Sequence, residues 1–335
     1  MTIAASRTET AAVAPTDTVP TATVRGASAS GTTTPSTAET LLAGHRVPRV
    51  GLGAARLTAG DGWGIPADPE VPRALLRAAL DAGIRYVDTA DALGPGVSEV
   101  IIGDVIGNRD DILVSTKVGM LRPAQDRWGI LGRPDYLRHA VHASLHRLRR
   151  ERIDLLFLHR IDPDVPLADQ LGALAELRDQ GKIAHIGLSE PTREQLDAAL
   201  AIEPIAAVQS LYNVAARENT PVIERLAERN IPFIAYWPLI GRGLPADTHD
   251  RVFAALQPAA RAHQTSVQSI ALAWIFHTVP DGLAVVGSRN PAHLRDNLAA
   301  TEITLSAEEI GAISAAVTEA LDGFVFNPRY SPHSA

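Results

Sequence analysis

Ile84-Arg85-Tyr86-Val87-Asp88-Thr89-Ala90-Asp91-Ala92-Leu93-Gly94-Pro95-Gly96 opens as a short apolar strand, closes on an acid and turns at once through a loop rich in glycine. Two later stretches repeat the plan: Ile112-Leu113-Val114-Ser115-Thr116 runs into Lys117, and Leu155-Leu156-Phe157-Leu158 runs into His159. An acid, an amine and an imidazole at the C-terminal ends of parallel strands are how a barrel enzyme assembles a site from distant pieces of chain. Outward from these three, strand candidates fall at 50–53, 84–87, 112–116, 154–158, 183–188, 206–209, 233–236 and 284–286. Amphipathic helical stretches separate them, such as Leu167, Leu171, Leu174 and Leu177 with Gly181 as the stop. Short apolar strands alternating with such helices argue for a parallel sheet covered by helices. Eight units at a period of roughly thirty residues match an α/β fold of the (β/α)8 TIM-barrel type in count and size. A doubly wound sheet is the competing architecture, but Gly51-Leu52-Gly53 lacks the third glycine and the downstream acid of a dinucleotide fingerprint.

The barrel does not account for all 335 residues. Residues 1–42 are dominated by Ala, Thr, Ser and Val without apolar periodicity and read as a disordered tail. The predicted single-domain barrel covers 43–322, and 323–335 is a tail near its mouth. Met1-Thr2-Ile3-Ala4-Ala5-Ser6-Arg7-Thr8 supplies neither the basic start nor the apolar run of a signal peptide. Ser269-Ile270-Ala271-Leu272-Ala273-Trp274-Ile275-Phe276 is too short to span a bilayer and reads as a buried barrel helix.

A formal net charge of −7 gives no general attraction to nucleic acid or to anionic lipid. The absence of cysteine excludes disulfides and thiolate chemistry and suits a cytoplasmic location. The expected partner is therefore a small-molecule substrate, with no nucleic acid and no membrane. His139, His142 and His146 follow helical spacing, His185 lies within a strand and His45 precedes the barrel; with no HExxH or paired-ligand spacing, no metal site is expected. Arg147, Arg149, Arg150 and Arg152 read as a solvated face at a helix end.

Six blocks occur in order: Asp88 to Gly96, Ser115-Thr116-Lys117, Leu158-His159-Arg160, Gly181-Lys182-Ile183-Ala184-His185-Ile186-Gly187-Leu188-Ser189, Val208-Gln209 and Val286-Gly287-Ser288-Arg289-Asn290. Together they resemble the aldo-keto reductase superfamily from about residue 46 to 318, nearest its bacterial pyridoxal-reductase-like branch. The resemblance implies NADPH lying across the C-terminal mouth of the barrel and hydride transfer to a carbonyl. It also implies a catalytic set of aspartate, tyrosine, lysine and histidine. Asp88, Lys117 and His159 match three of these, and the tyrosine expected five residues after the aspartate is Leu93.

The family's set has a physical logic. A phenol with its ordinary pKa near 10 is a poor acid at neutral pH, so a lysine ammonium beside it lowers that pKa while the aspartate holds the lysine. General acid catalysis is worth about 10²–10⁴ in rate, so a leucine in the phenol's place puts simple ketone reduction in doubt. Three chemistries remain open: an iminium substrate that needs no proton, proton donation by His159 or a water held by Lys117, and a redox-neutral elimination, isomerisation or cyclisation. A specialised NADPH-dependent reductase of a hydrophobic carbonyl, imine or enone ranks first. A dehydratase, isomerase or cyclase on the same barrel, or a non-catalytic NADPH-binding regulatory protein, is the alternative.

By the same resemblance, Ser189 and Gln209 hold the nicotinamide carboxamide, although the asparagine expected after the serine is Glu190. Tyr236 matches the aromatic that stacks on the ring, and Trp237, Leu239 and Gly241 lead into the pyrophosphate loop. Gly287, Ser288 and Arg289, with His293, Asp296 and Asn297 on the next helix and Arg56 after the first strand, match the rest of the cofactor site. A guanidinium and a hydroxyl near a helix N-terminus suit a 2′-phosphate, which favours NADPH over NADH. Trp63, Trp128 and the stretch from Gly323 to Tyr330 are expected to overhang the mouth and line the substrate pocket. Asp88 and Lys117 in isolation read equally well as a bracing ion pair. Tyr212 is the spare phenol, read as packing.

Overall fold

The computed structural model describes residues 38–60, 62–239 and 243–325. Most of the predicted tail (residues 1–37), Gly241, and residues 326–330 of the predicted mouth stretch lie outside them.

Eight parallel strands close into a barrel: β3 (Val50–Gly53), β4 (Tyr86–Asp88), β5 (Leu113–Val118), β8 (Ile153–Leu158), β9 (Ile183–Ser189), β10 (Ala207–Leu211), β11 (Phe233–Tyr236) and β12 (Leu283–Val286), which pairs back onto β3. Each predicted strand is present within two residues at each end. Lys117 lies inside β5 instead of beyond it, so its side chain shares the inward face with Ser115, two residues before.

Helices α1 (Glu70–Asp81), α2 (Val97–Val105), α3 (Pro134–Leu148), α4 (Leu167–Asp179), α5 (Arg193–Leu200), α6 (Thr220–Ala227), α8 (Val267–Thr278) and α9 (Pro291–Ala299) cover the outside. Their leucine and isoleucine stripes bury against the outward faces of the strands in the main apolar cluster. Helix α8 is buried almost all round because α7 (Ala246–Ala262) and α10 (Ala307–Leu321) pack over it, as its uninterrupted apolar run requires.

Two hairpins were not legible as strands. The first, β1 (Glu39–Leu42) with β2 (His45–Pro48), includes residues assigned to the tail from sequence, so ordered chain begins before residue 43. Leu42 and Val47 join the cluster that fills the barrel interior, and Thr40 Oγ1 donates to the Asp281 carbonyl just before β12, so the hairpin plugs the N-terminal end. The second, β6 (Met120–Ala124) with β7 (Arg127–Ile130), extends β5 over the opposite end.

Two aromatic side chains dominate the interior, Tyr86 from β4 and Phe157 from β8. Each depends on a glycine in an adjoining strand: a Cβ on Gly51 would sit 2.5 Å from the Tyr86 ring and one on Gly187 2.5 Å from the Phe157 ring. Overpacking such a site costs about 1–3 kcal/mol. Gly51→Ala is therefore expected to lower the urea midpoint by that free energy at unchanged m value. Gly172→Ala, on α4 with nothing within 4 Å of the new methyl, should raise it by about 0.5–1 kcal/mol through helix propensity.

Candidate active site

The register of β4, β5 and β8 brings three strand-end residues together. Asp88 pairs with Ser115, and Lys117 with Phe157, so Asp88 and Lys117 meet one residue pair apart at the C-terminal end. Lys117 Nζ donates to both Asp88 oxygens at 2.7 Å and to the Thr89 carbonyl at 2.8 Å, which occupies all three ammonium hydrogens. Beneath them Ser115 Oγ donates to Asp88 Oδ1 at 2.6 Å, and its oxygen lies 2.9 Å from the Tyr86 hydroxyl. Because the serine hydrogen goes to the carboxylate, the phenol donates to the serine. The Phe157 ring centroid lies 5.6 Å from Nζ, a cation–π floor.

Burial lowers the Lys117 pKa below its ordinary value, with the Asp88 charge opposing the shift. Burial and then the Asp88 charge push Tyr86 well above the usual phenol value, so this phenol stays protonated as a donor to Ser115 and is not an acid that could stand in at position 93. Tyr212 is excluded as a replacement on position: it packs edge-on to Phe233 and against Trp274 in the outer cluster.

A cavity of about 720 Å³ opens above the pair. Of the site residues expected from sequence, Asp88, Leu93, Lys117, His159, Arg56, Ser189, Gln209, Tyr236, Trp237, Leu239, Gly287 and Trp128 all line it. Leu93 is presented by a tight loop in which Leu93 N bonds the Ala90 carbonyl and Gly94 N the Gly62 carbonyl. Ser288, Arg289, His293, Asp296 and Asn297 do not line this cavity; they sit on the turn after β12 and on α9. There Ser288 Oγ accepts from Asn290 N, Asn290 caps the helix, and Arg289 reaches the Ala59 carbonyl at 3.2 Å.

Trp63 stands one step back from the wall: it does not line this cavity, and its ring lies 5.1 Å from the guanidinium of Arg122, which lies 4.2 Å from the ring of Trp128. Arg122, buried beside both rings, donates to the Gly62 and Gln125 carbonyls and so ties the loop after β3 to the β6–β7 hairpin. Sequence reasoning missed Arg122 and Arg160, both on the cavity wall. A basic residue between two tryptophans, and another directly after His159, were the available signals.

The residues that the resemblance assigns to a carboxamide seat are only partly arranged as expected. Ser189 and Gln209 face the cavity, and Gln209 Nε2 is buried with no well-formed hydrogen bond, its nearest acceptor being the Tyr86 hydroxyl, which leaves it able to donate to a cofactor amide oxygen. Glu190 has turned away: in left-handed backbone (φ 54°), its carboxylate accepts from Leu211 N at 2.6 Å. Trp237 is also left-handed (φ 48°), held by Asn213 Nδ2 donating to its carbonyl.

A more open cleft of similar size lies at the other end of the barrel, between the end of α3 and the starts of β8 and β9, lined by His142, His146, Arg149, Arg150 and Lys182. The arginine run there is not a merely solvated face. Arg147 pairs with fully buried Glu99, Arg149 with Asp104 and Arg150 with Asp154.

The model of the Aldo/keto reductase family matches residues 49–318. The chain belongs to the aldo-keto reductase family. Among its curated relatives, an oxidoreductase of Schizosaccharomyces pombe is 36% identical over 265 residues, 78% of this chain and 84% of that protein. The pyridoxine 4-dehydrogenase of Escherichia coli is 34% identical over 275 residues, 80% of this chain and 94% of that protein. Among solved structures, a thermostable aldo-keto reductase bound to the inhibitor epalrestat is 30% identical with a TM-score of 0.73, covering 83% of this chain and 99% of its own. An aldo-keto reductase from Klebsiella pneumoniae, solved with NADPH, is 26% identical with a TM-score of 0.69, covering 83% and 95%.

For this aldo-keto reductase, the buried ion pair sets a pH dependence of stability. A lysine whose folded pKa is lowered binds fewer protons in the folded than in the unfolded state between that pKa and 10.5, so it adds stability as pH rises through that window. Relative to Lys117→Met, the wild type should gain stability on going from neutral to alkaline pH, measured by urea unfolding at matched ionic strength. A flat difference would contradict a lowered lysine pKa.

Proposed function

We propose that this chain is an NADP(H)-dependent oxidoreductase of a specialised, hydrophobic carbonyl, imine or enone substrate, in which the position of the usual tyrosine acid is held by Leu93. The observation that carries the reading is the convergence of Asp88, Lys117, His159, Leu93, Ser189, Gln209 and Tyr236 on one cavity. NADP(H) is supported by Klebsiella pneumoniae relatives solved with NADPH and with NADP, by the buried Gln209 Nε2 without a well-formed hydrogen bond, and by Arg289 and Ser288 beside the N-terminus of α9, which suit a 2′-phosphate. A reduced nicotinamide held by these residues would supply the hydride.

The protein's own groups do the rest. Ser189 and Gln209 would hold the carboxamide, and Tyr236 would offer its flat face to the ring. His159 orients the substrate heteroatom and is the titratable group placed to give it a proton. Lys117 contributes positive charge beside the reacting atoms while its hydrogens stay committed to Asp88 and Thr89. That commitment disfavours Lys117 as the base of a redox-neutral elimination. Leu93, in turn, favours substrates that take hydride without an acid at that position; an iminium is the simplest of these by proton count, against the positive charge of Lys117 and Arg160 on the cavity wall. Relatives named pyridoxine 4-dehydrogenase and glycerol dehydrogenase put alcohol–carbonyl interconversion within the family's range. The cysteine-free chain suits the cytoplasm.

The test compares wild type with Leu93→Tyr on simple aldehydes and on cyclic iminium salts, following NADPH absorbance. Aldehyde kcat/KM should rise by about 10²–10⁴ in the variant, while iminium reduction changes little. Equal aldehyde rates in the two proteins would remove the vacancy argument, and failure to bind NADPH would remove the reductase reading.

A further inference from the structure

We infer that Arg160 is a further cofactor-binding residue, donating to the nicotinamide carboxamide oxygen in the place that Glu190 has left. The inference rests on the NADP(H) reading above. Arg160 follows His159 at the end of β8, is half-buried and lines the cavity. Its Nη1 donates to the His159 carbonyl at 2.6 Å and to Ser189 Oγ at 3.1 Å. Those two bonds lock the guanidinium against the seat and make the Ser189 oxygen an acceptor, leaving the serine hydrogen to be given elsewhere.

Both bonds use Nη1, so Nε and Nη2 have no partner among the described residues, and no acid among them pairs with the side chain. A charged fork fixed at one nitrogen and open at the others, beside a serine hydroxyl and a buried glutamine Nε2 without a well-formed hydrogen bond, is a donor-rich seat. An amide oxygen accepts two such donors. The residue after Ser189 cannot serve: as a glutamate it would bring a charged acceptor to an acceptor, and its carboxylate is already engaged by Leu211 N. Arg160 and Glu190 thus form a matched exchange, the cation taking over a contact from which the anion has turned away.

The experiment is a fluorescence titration of the full chain with NADPH, alongside calorimetry with 2′-phospho-ADP-ribose, which keeps both phosphate regions but lacks the nicotinamide. Arg160→Met should raise the Kd for NADPH about tenfold, the loss expected for one charge-assisted hydrogen bond, while the Kd for 2′-phospho-ADP-ribose changes less than twofold. Adding Glu190→Asn to Arg160→Met should recover most of the loss, since an asparagine tolerates left-handed backbone and can turn its amide into the seat. Arg160→Lys, which keeps the charge without the fork, should weaken NADPH alone and serves if the methionine variant does not fold, as judged by thermal unfolding. Equal weakening of both ligands would show long-range attraction to the phosphates and overturn the assignment, as would an unchanged NADPH Kd. A wild type that binds 2′-phospho-ADP-ribose as tightly as NADPH would overturn the carboxamide seat but not the nucleotide site. Binding of neither ligand would overturn the cofactor reading itself.

Discussion

The Asp88–Lys117 ion pair constrains more of this molecule than any other contact. Taking two ions out of water costs several kcal/mol each, and their attraction offsets this only when the remaining hydrogen-bonding capacity is filled. Here the lysine's three hydrogens are placed on two carboxylate oxygens and a carbonyl, and the carboxylate takes a further donor from Ser115. That arrangement needs β4 and β5 in one register, since a slip of one residue would turn Lys117 out of the barrel. It also needs a floor. Tyr86 and Phe157 provide it, and Gly51 and Gly187 make room for their rings. A chain of small concessions in the strands therefore ends in one fixed ammonium group at the mouth.

Much of this was legible in the sequence because the signals are strong where the structure is regular. Eight apolar strands, each buried on both faces, leave runs of Val, Leu and Ile that no helix period explains. The strand-end residues were legible for the same reason, since a polar residue terminating such a run has few places to be. The hairpins were not. Each strand of β1–β2 has four residues, and β6–β7 carries Pro123 and a register shift, so alternation never runs long enough to register. Glu39–Leu42 becomes a strand only because the barrel offers Leu42 an interior to fill.

The site was less completely readable than the fold. Arginine is ambiguous in a sequence, because its long stem lets the charge end far from its own Cα. Arg122 ends beside two tryptophans, Arg160 on a serine from the next strand, and Arg147 on the buried Glu99. None of those partners is a sequence neighbour. Trp63 shows the complementary limit: sequence places it in a mouth loop, and only the structure shows its ring against Arg122, which faces the cavity. Glu190 was recognised as a departure, but only its left-handed backbone and its bond to Leu211 N show where the carboxylate goes.

The hairpin plug has a consequence for traffic. With Leu42 and Val47 closing the lower end over an interior packed with aromatic and aliphatic side chains, the barrel axis is no conduit. Every proton, water molecule and reactant has to pass the same rim, roofed in part by the β6–β7 hairpin and its Arg122 clamp. Whatever occupies that rim also governs solvent access to His159 and Lys117. Position 93, a leucine, stands on that same wall, so anything seated there lies between the solvent at the rim and the Lys117 ammonium.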